Sequence, residues 1–141
     1  MRVFLDTNVL VAAFATRGMC ADVVRTVLAE HEWLVSETVP GELERVLADK
    51  VGLPDKGTRS IVDFVRQQAT VAARADRPPP VSVRDPDDVP VLTDALGASA
   101  EVLVTGDKDL LELEKVQEMQ VLTPRGFWTL VTSADDGPAK D

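Results

Sequence analysis

Val3-Phe4-Leu5, Trp33-Leu34-Val35 and Val102-Leu103-Val104 are short runs without a polar residue. A strand with one face in water alternates apolar and polar residues, whereas a run that is apolar throughout has to be covered on both faces. Between these runs the apolar residues recur at helical spacing. Met19, Val23, Val24, Val27 and Leu28 share one face of a stretch. Val39, Leu43, Val46 and Leu47 share a second, and Ile61, Phe64, Val65 and Ala69 a third, within a helix expected at about 58–75. Further helices are expected at 8–15, 86–98, 107–113 and 124–130, and further strands at 81–83 and 120–122. Strands that alternate with helices predict a parallel sheet covered on both faces. Sites in such sheets form outside the carboxyl ends of the strands, near a reversal of strand order.

Two of the apolar runs deliver an aspartate to that edge. Asp6 follows Leu5 directly, and Asp107 follows Val104 after the turn Thr105-Gly106. Either alone could be a helix cap; two from separate strands point to a shared site. Glu42 lies three residues after Val39 and four before Val46, so it borders the buried stripe of its helix. Asp88 lies four residues before Leu92 and seven before Ala95, again on the inward side. Its neighbours Asp85 and Asp87 are fully accounted for by a helix start with Asp85 as cap and Pro86 as first residue. Four carboxylates brought together repel one another and raise each other's pKa values. Divalent cations resolve the conflict, and such a site can position phosphate and activate water.

The remaining composition narrows the chemistry. At 141 residues the chain fits one domain, read as 1–132 with a polar tail at 133–141 expected to be disordered. Cys20 is the single cysteine and His31 the single histidine, which excludes an internal disulfide and makes a structural zinc site very poor chemistry. Metal held by carboxylates alone means magnesium or manganese. No apolar run is long enough for a bilayer, and Met1 to Asp6 lacks the apolar core of a signal peptide, so the expected location is the cytoplasm, away from membranes. The formal charge of −9 opposes nucleic-acid binding by composition alone. Acids that hold cations nevertheless attract phosphate, and Arg17, Arg25, Lys50, Lys56, Arg59, Arg66 and Lys108 are candidates for a local basic rim.

Phe4-Leu5-Asp6-Thr7-Asn8-Val9-Leu10 resembles the opening of PIN-domain proteins, and Val104-Thr105-Gly106-Asp107-Lys108-Asp109-Leu110-Leu111 resembles their second hallmark. Glu42-Leu43, and Asp88 with Ala95 downstream, match the intermediate acids in order and approximate spacing, so the likeness spans about 1–130. It is nearest to the standalone bacterial, VapC-like members described as toxins of toxin–antitoxin pairs. The resemblance implies a three-layer α/β/α sandwich with a five-stranded parallel sheet. It implies hydrolysis of single-stranded RNA by water, dependent on Mg2+ or Mn2+, with Asp6, Glu42, Asp88 and Asp107 as the metal-binding acids. By the same carry-over Asp109 is a further metal-binding acid, Thr7 and Asn8 hold the first loop, and Thr105 supports Asp107. It also implies a homodimer and a small antitoxin partner. Pro90, close after Asp88, departs from the usual pattern but fits the first turn of a helix.

Two other functions are compatible with the residues. An acid-site phosphohydrolase on a similar sheet would use Asp6 as nucleophile, but the position two residues on is Asn8 where a second acid is wanted. A PIN-fold scaffold that binds a protein or RNA without cutting would not need all four acids.

Overall fold

The computed structural model describes the backbone of residues 1–139 and the side chains of 1–133. The elements run β1 (Arg2–Leu5), α1 (Thr7–Ala15), α2 (Met19–Glu30), β2 (Glu32–Ser36), α3 (Val39–Val46), α4 (Asp55–Gln68) and β3 (Thr70–Ala72). They continue with α5 (Val89–Gly97), β4 (Val102–Val104), α6 (Lys108–Leu111), β5 (Lys115–Val116), β6 (Met119–Leu122) and α7 (Pro124–Ala139). A π turn at Leu47–Val51 follows α3, and a 3-10 turn at Pro86–Asp88 precedes α5. Of the tail from 133 that reads as disordered, the side chains from 134 and all of 140–141 lie outside the described residues.

The sheet has six strands in the order β3-β2-β1-β4-β6-β5, rather than the five expected. Five are parallel; the sixth, β5, is a two-residue antiparallel strand that folds back on β6. The strand expected at 81–83 is also corrected. The segment is irregular, with Val81 and Val83 packed under the sheet, and the edge strand is Thr70–Ala72 instead. The helix expected to reach 75 therefore stops at Gln68, where β-branched Thr70 and Val71 pair with Leu34 and Val35 of β2.

The strand alternation sorts the core into two layers. Val3, Leu5, Trp33, Val35, Val102 and Val104 face one way, onto α1, α2, α3, α4 and α7. Phe4, Leu34 and Leu103 face the other way, onto Leu92 and Ala95 of α5 and Leu110 of α6. Neither face of the central strands meets water, as their uninterrupted apolar sequence requires. No single described helix is long and apolar enough to cross a membrane. Strand order reverses at β1, which lies between β2 and β4. Its carboxyl end is where Asp6 emerges.

Candidate active site

The register places β1 and β4 side by side with Leu5 opposite Val104, and the Asp6 N–H continues the ladder to the Val104 carbonyl at 3.1 Å. Asp6 and Thr105 are therefore neighbours at the sheet's carboxyl edge. Thr105, fully buried, donates its hydroxyl to Asp6 Oδ2 at 2.8 Å and accepts the Asp107 N–H at 3.1 Å. One hydroxyl thus ties the two strand-end acids together. Asp6 also caps α1, its Oδ1 accepting the Thr7 N–H at 2.8 Å. Asp107 caps α6, its Oδ1 accepting from the N–H groups of Asp109 at 2.8 Å and Leu110 at 3.3 Å. The capping reading and the site reading hold at once, because each carboxylate spends one oxygen on a cap.

Glu42, half-buried on the first turn of α3, receives the Thr7 hydroxyl at 3.5 Å, which brings the third acid beside the first. Asn8 is exposed on α1, away from these contacts. Asp88 is buried, and its Oδ2 has no hydrogen-bond partner among the described residues. Its pKa is pushed up to about 7, first by desolvation, then by a hydrogen bond with Asp107 and repulsion from Asp107, Asp85 and Asp109. Asp6 is also raised, first by burial and further by the charges of Asp107 and Glu42, against the lowering effect of the Thr105 and Thr7 hydrogen bonds.

Asp6, Glu42 and Asp107 are linked through Thr7 and Thr105, and Asp107 neighbours Asp88 and caps α6, which carries Asp109. The side chains of Asp85, Asp88 and Asp109 place one oxygen each within 4.8 Å of one another. Asp85 is the cap it was expected to be, accepting the Asp87 N–H at 3.0 Å, but it also belongs to this carboxylate group. Arg84 partly balances the group from outside, at 3.9 Å from Asp109 and 3.1 Å from Glu112. A cleft of about 220 Å³ opens on the Asp6 and Glu42 side, lined also by Ser36, Thr38, Asp94 and Arg74.

Asp94 and Arg74 were not singled out by the sequence reading. Asp94 had one detectable signal, being the only charged residue in the nine-residue helix Val89–Gly97. Arg74 had none, because its segment reads as the end of a helix. None of the seven basic residues proposed as a rim lines the cleft.

A family model described as PIN domain matches residues 2–109. The chain belongs to the PIN-domain family. The fold is similar to that of a chain in the crystal structure of VapBC2 from Rickettsia felis bound to a DNA fragment from their promoter. That similarity has a TM-score of 0.61 over 86% of this chain and 97% of the other, at 13% identity. No curated protein matches the chain. Within the matched span Asp6 follows β1, Glu42 lies on α3, Asp88 precedes α5 and Asp107 follows β4.

Proposed function

We propose that this PIN domain is a metal-dependent endoribonuclease that hydrolyses phosphodiester bonds of single-stranded RNA. We read it further as the toxin of a toxin–antitoxin pair acting in the cytoplasm, kept silent by a small antitoxin and able to form a homodimer. The observation that carries the enzymatic reading is Asp88, whose buried Oδ2 has no partner among the described residues and whose carboxylate groups with those of Asp85 and Asp109. An arrangement so unfavourable to itself is explained by a cation, and oxygen donors without sulfur or imidazole fit Mg2+ or Mn2+.

Asp6, Glu42, Asp88 and Asp107 would hold the cation, with Asp109 and Asp85 beside them. Bound there, it supplies charge against phosphate oxygens, lowers the pKa of water and stabilises the leaving oxygen. The chain's own residues do the positioning. Thr105 and the Thr7 N–H fix the Asp6 carboxylate from two sides. The α6 N–H groups fix Asp107 through one oxygen and leave Oδ2 to the site. Thr7 steers Glu42 toward Asp6. Asp88 Oδ2 is free to accept a cation or a proton.

The test is incubation of the purified protein with end-labelled single-stranded RNA in manganese, in magnesium and in EDTA, beside Asp6→Asn. Cleavage that needs metal and disappears in the variant is expected. Equal cleavage by both proteins would show a contaminating nuclease and remove the reading. So would failure of both to cut when the wild type also binds no manganese by calorimetry.

A further inference from the structure

The acidic cleft has a single cation among its described lining residues, Arg74. The same side chain borders a cavity of about 290 Å³ with Arg2 and Arg77, and another of about 300 Å³ with Val89 and Thr93. Three recesses thus share Arg74 among their lining residues. Asp94, only 1% exposed, holds it in place, with Oδ2 at 3.4 Å from Arg74 Nε. A carboxylate buried so deeply needs donors on both oxygens. Asp94 has them: Ser36 donates to Oδ2 at 3.0 Å and the Ala75 N–H to Oδ1 at 2.8 Å. Ala75 reaches that position because Gly97 leaves room, since a Cβ on Gly97 would lie 2.7 Å from the Ala75 Cβ.

A guanidinium whose only task was to neutralise Asp94 would engage it with two nitrogens in a parallel fork. Here Ser36 and Ala75 already hydrogen-bond the carboxylate, and the guanidinium approaches it through Nε at 3.4 Å without a hydrogen bond. The terminal nitrogens have no partner among the described residues, and the Arg74 side chain is 47% exposed. A planar fork, aimed from a rigid anchor at the rim of a phosphodiester-cutting site, matches a phosphate.

We propose that Arg74 binds a backbone phosphate of the single-stranded RNA flanking the one that is cut, with Asp94 as its positioning residue. The assignment rests on the nuclease reading above. It explains how a chain of net charge −9 holds a polyanion, with one oriented guanidinium at the cleft in place of a broad basic surface. It also gives the strand a direction, from the carboxylates at Asp6 toward the groove beside β3.

Affinity for a fluorescent single-stranded RNA is measured over a salt series in EDTA, on an Asp6→Asn background so that the RNA survives, and steady-state cleavage is measured with manganese in the parent. Arg74→Ala is expected to weaken binding about tenfold, as befits a charged hydrogen bond. It should also make the slope of log affinity against log salt shallower by about 0.7, the value for one phosphate on a single strand. KM rises while kcat holds. Arg74→Lys recovers part of the affinity as a point charge. Because Arg74→Ala leaves Asp94 buried and uncompensated, the Arg74→Ala/Asp94→Asn double variant is measured too, and should show the same shallower slope in a folded protein. Arg25→Ala removes an equal charge from the distant, exposed pair with Asp22, and should leave the slope unchanged. A double variant that is folded and keeps the parent's slope and KM overturns the assignment and leaves the nuclease standing. RNA neither bound nor cut by the parent overturns both, so the parent alone tells the two failures apart.

Discussion

Thr105 carries more of the site than any other uncharged residue. Among the described residues its hydroxyl is the only donor to Asp6 Oδ2 and the only acceptor for the Asp107 N–H. Thr105→Val keeps the shape and removes both bonds, leaving a buried oxygen and a buried N–H unsatisfied at about 1–3 kcal/mol. Loss of the supporting contact should lower metal-dependent cleavage about 10–100-fold, with Thr105→Ser restoring most of it. Since the Thr105 bond lowers the Asp6 pKa, the acidic limb of the pH–rate profile should also move to higher pH in the valine variant. An unmoved limb with full activity would show that Asp6 does not depend on Thr105. Asp88 makes a second prediction at the same scale. Its folded pKa, raised from 3.8 to about 7, means the native state binds a proton that the unfolded chain has released between those values. Stability of the metal-free protein from this group is therefore fully present below about 3.8 and is lost as pH rises toward 7 and beyond. Asp88→Asn, which stays neutral, should melt above wild type at pH 8 in EDTA, by the order of a few kcal/mol, with the gap narrowing as pH falls and closing only near the unfolded value of 3.8. Thermal melts across that range check it, and a constant gap would mean the raised pKa is not there.

Among the elements, α5 does three jobs along nine residues: Asp88 stands at its start, Asp94 in its middle and Gly97 at its end. Gly97 and Gly41 separate two opposing effects of glycine in helices. Alanine normally stabilises a helix over glycine by about 0.5–1 kcal/mol. At Gly41 an added Cβ meets open space, so Gly41→Ala should raise the melting temperature. At Gly97 the Cβ would stand 2.7 Å from Ala75, and overpacking costs about 1–3 kcal/mol, so the contact outweighs propensity and Gly97→Ala should lower it. Paired melts with shifts of the same sign would contradict the close approach of α5 to Ala75. The strands most legible from sequence are those buried on both sides. β1, β2 and β4 announce themselves as apolar runs and present Asp6 and Asp107 at their ends. β3 does not, because it is a short, largely exposed edge strand beside Ala69, Ala73 and Ala75, so its local composition favours a helix while pairing with β2 decides the outcome. β5 is two residues long and has no pattern to read. Misreading β3 is also what hid Arg74, whose role depends on where that edge strand releases the chain. Asp85 was hidden differently: a cap explains it completely until its distance to Asp88 and Asp109 is known.

At the scale of the molecule the net charge of −9 is unevenly placed. Two of the acids at the carboxyl edge of the sheet, Asp6 and Asp88, are raised in pKa by burial and by one another's neighbours, so the fold without cations carries repulsion that the native state alone bears. The unfolded chain separates the same residues and escapes it. Divalent cations should then act as ligands of the folded state, stabilising it by RT ln(1 + [L]/Kd), about 2.7 kcal/mol at a hundredfold excess over Kd. General screening gives a weaker effect that monovalent salt reproduces, since exposed charges are damped over about 8 Å at physiological ionic strength. Melting temperature in EDTA is therefore compared with that in magnesium and in manganese, each matched by NaCl to the same ionic strength. A rise of several degrees beyond the NaCl control is expected in wild type. The Asp6→Asn/Asp88→Asn double variant should melt higher than wild type in EDTA, because the repulsion is gone, and gain much less from either metal. Equal gains in both proteins would place the bound cations elsewhere on the acidic surface and deprive the carboxylate cluster of its metal.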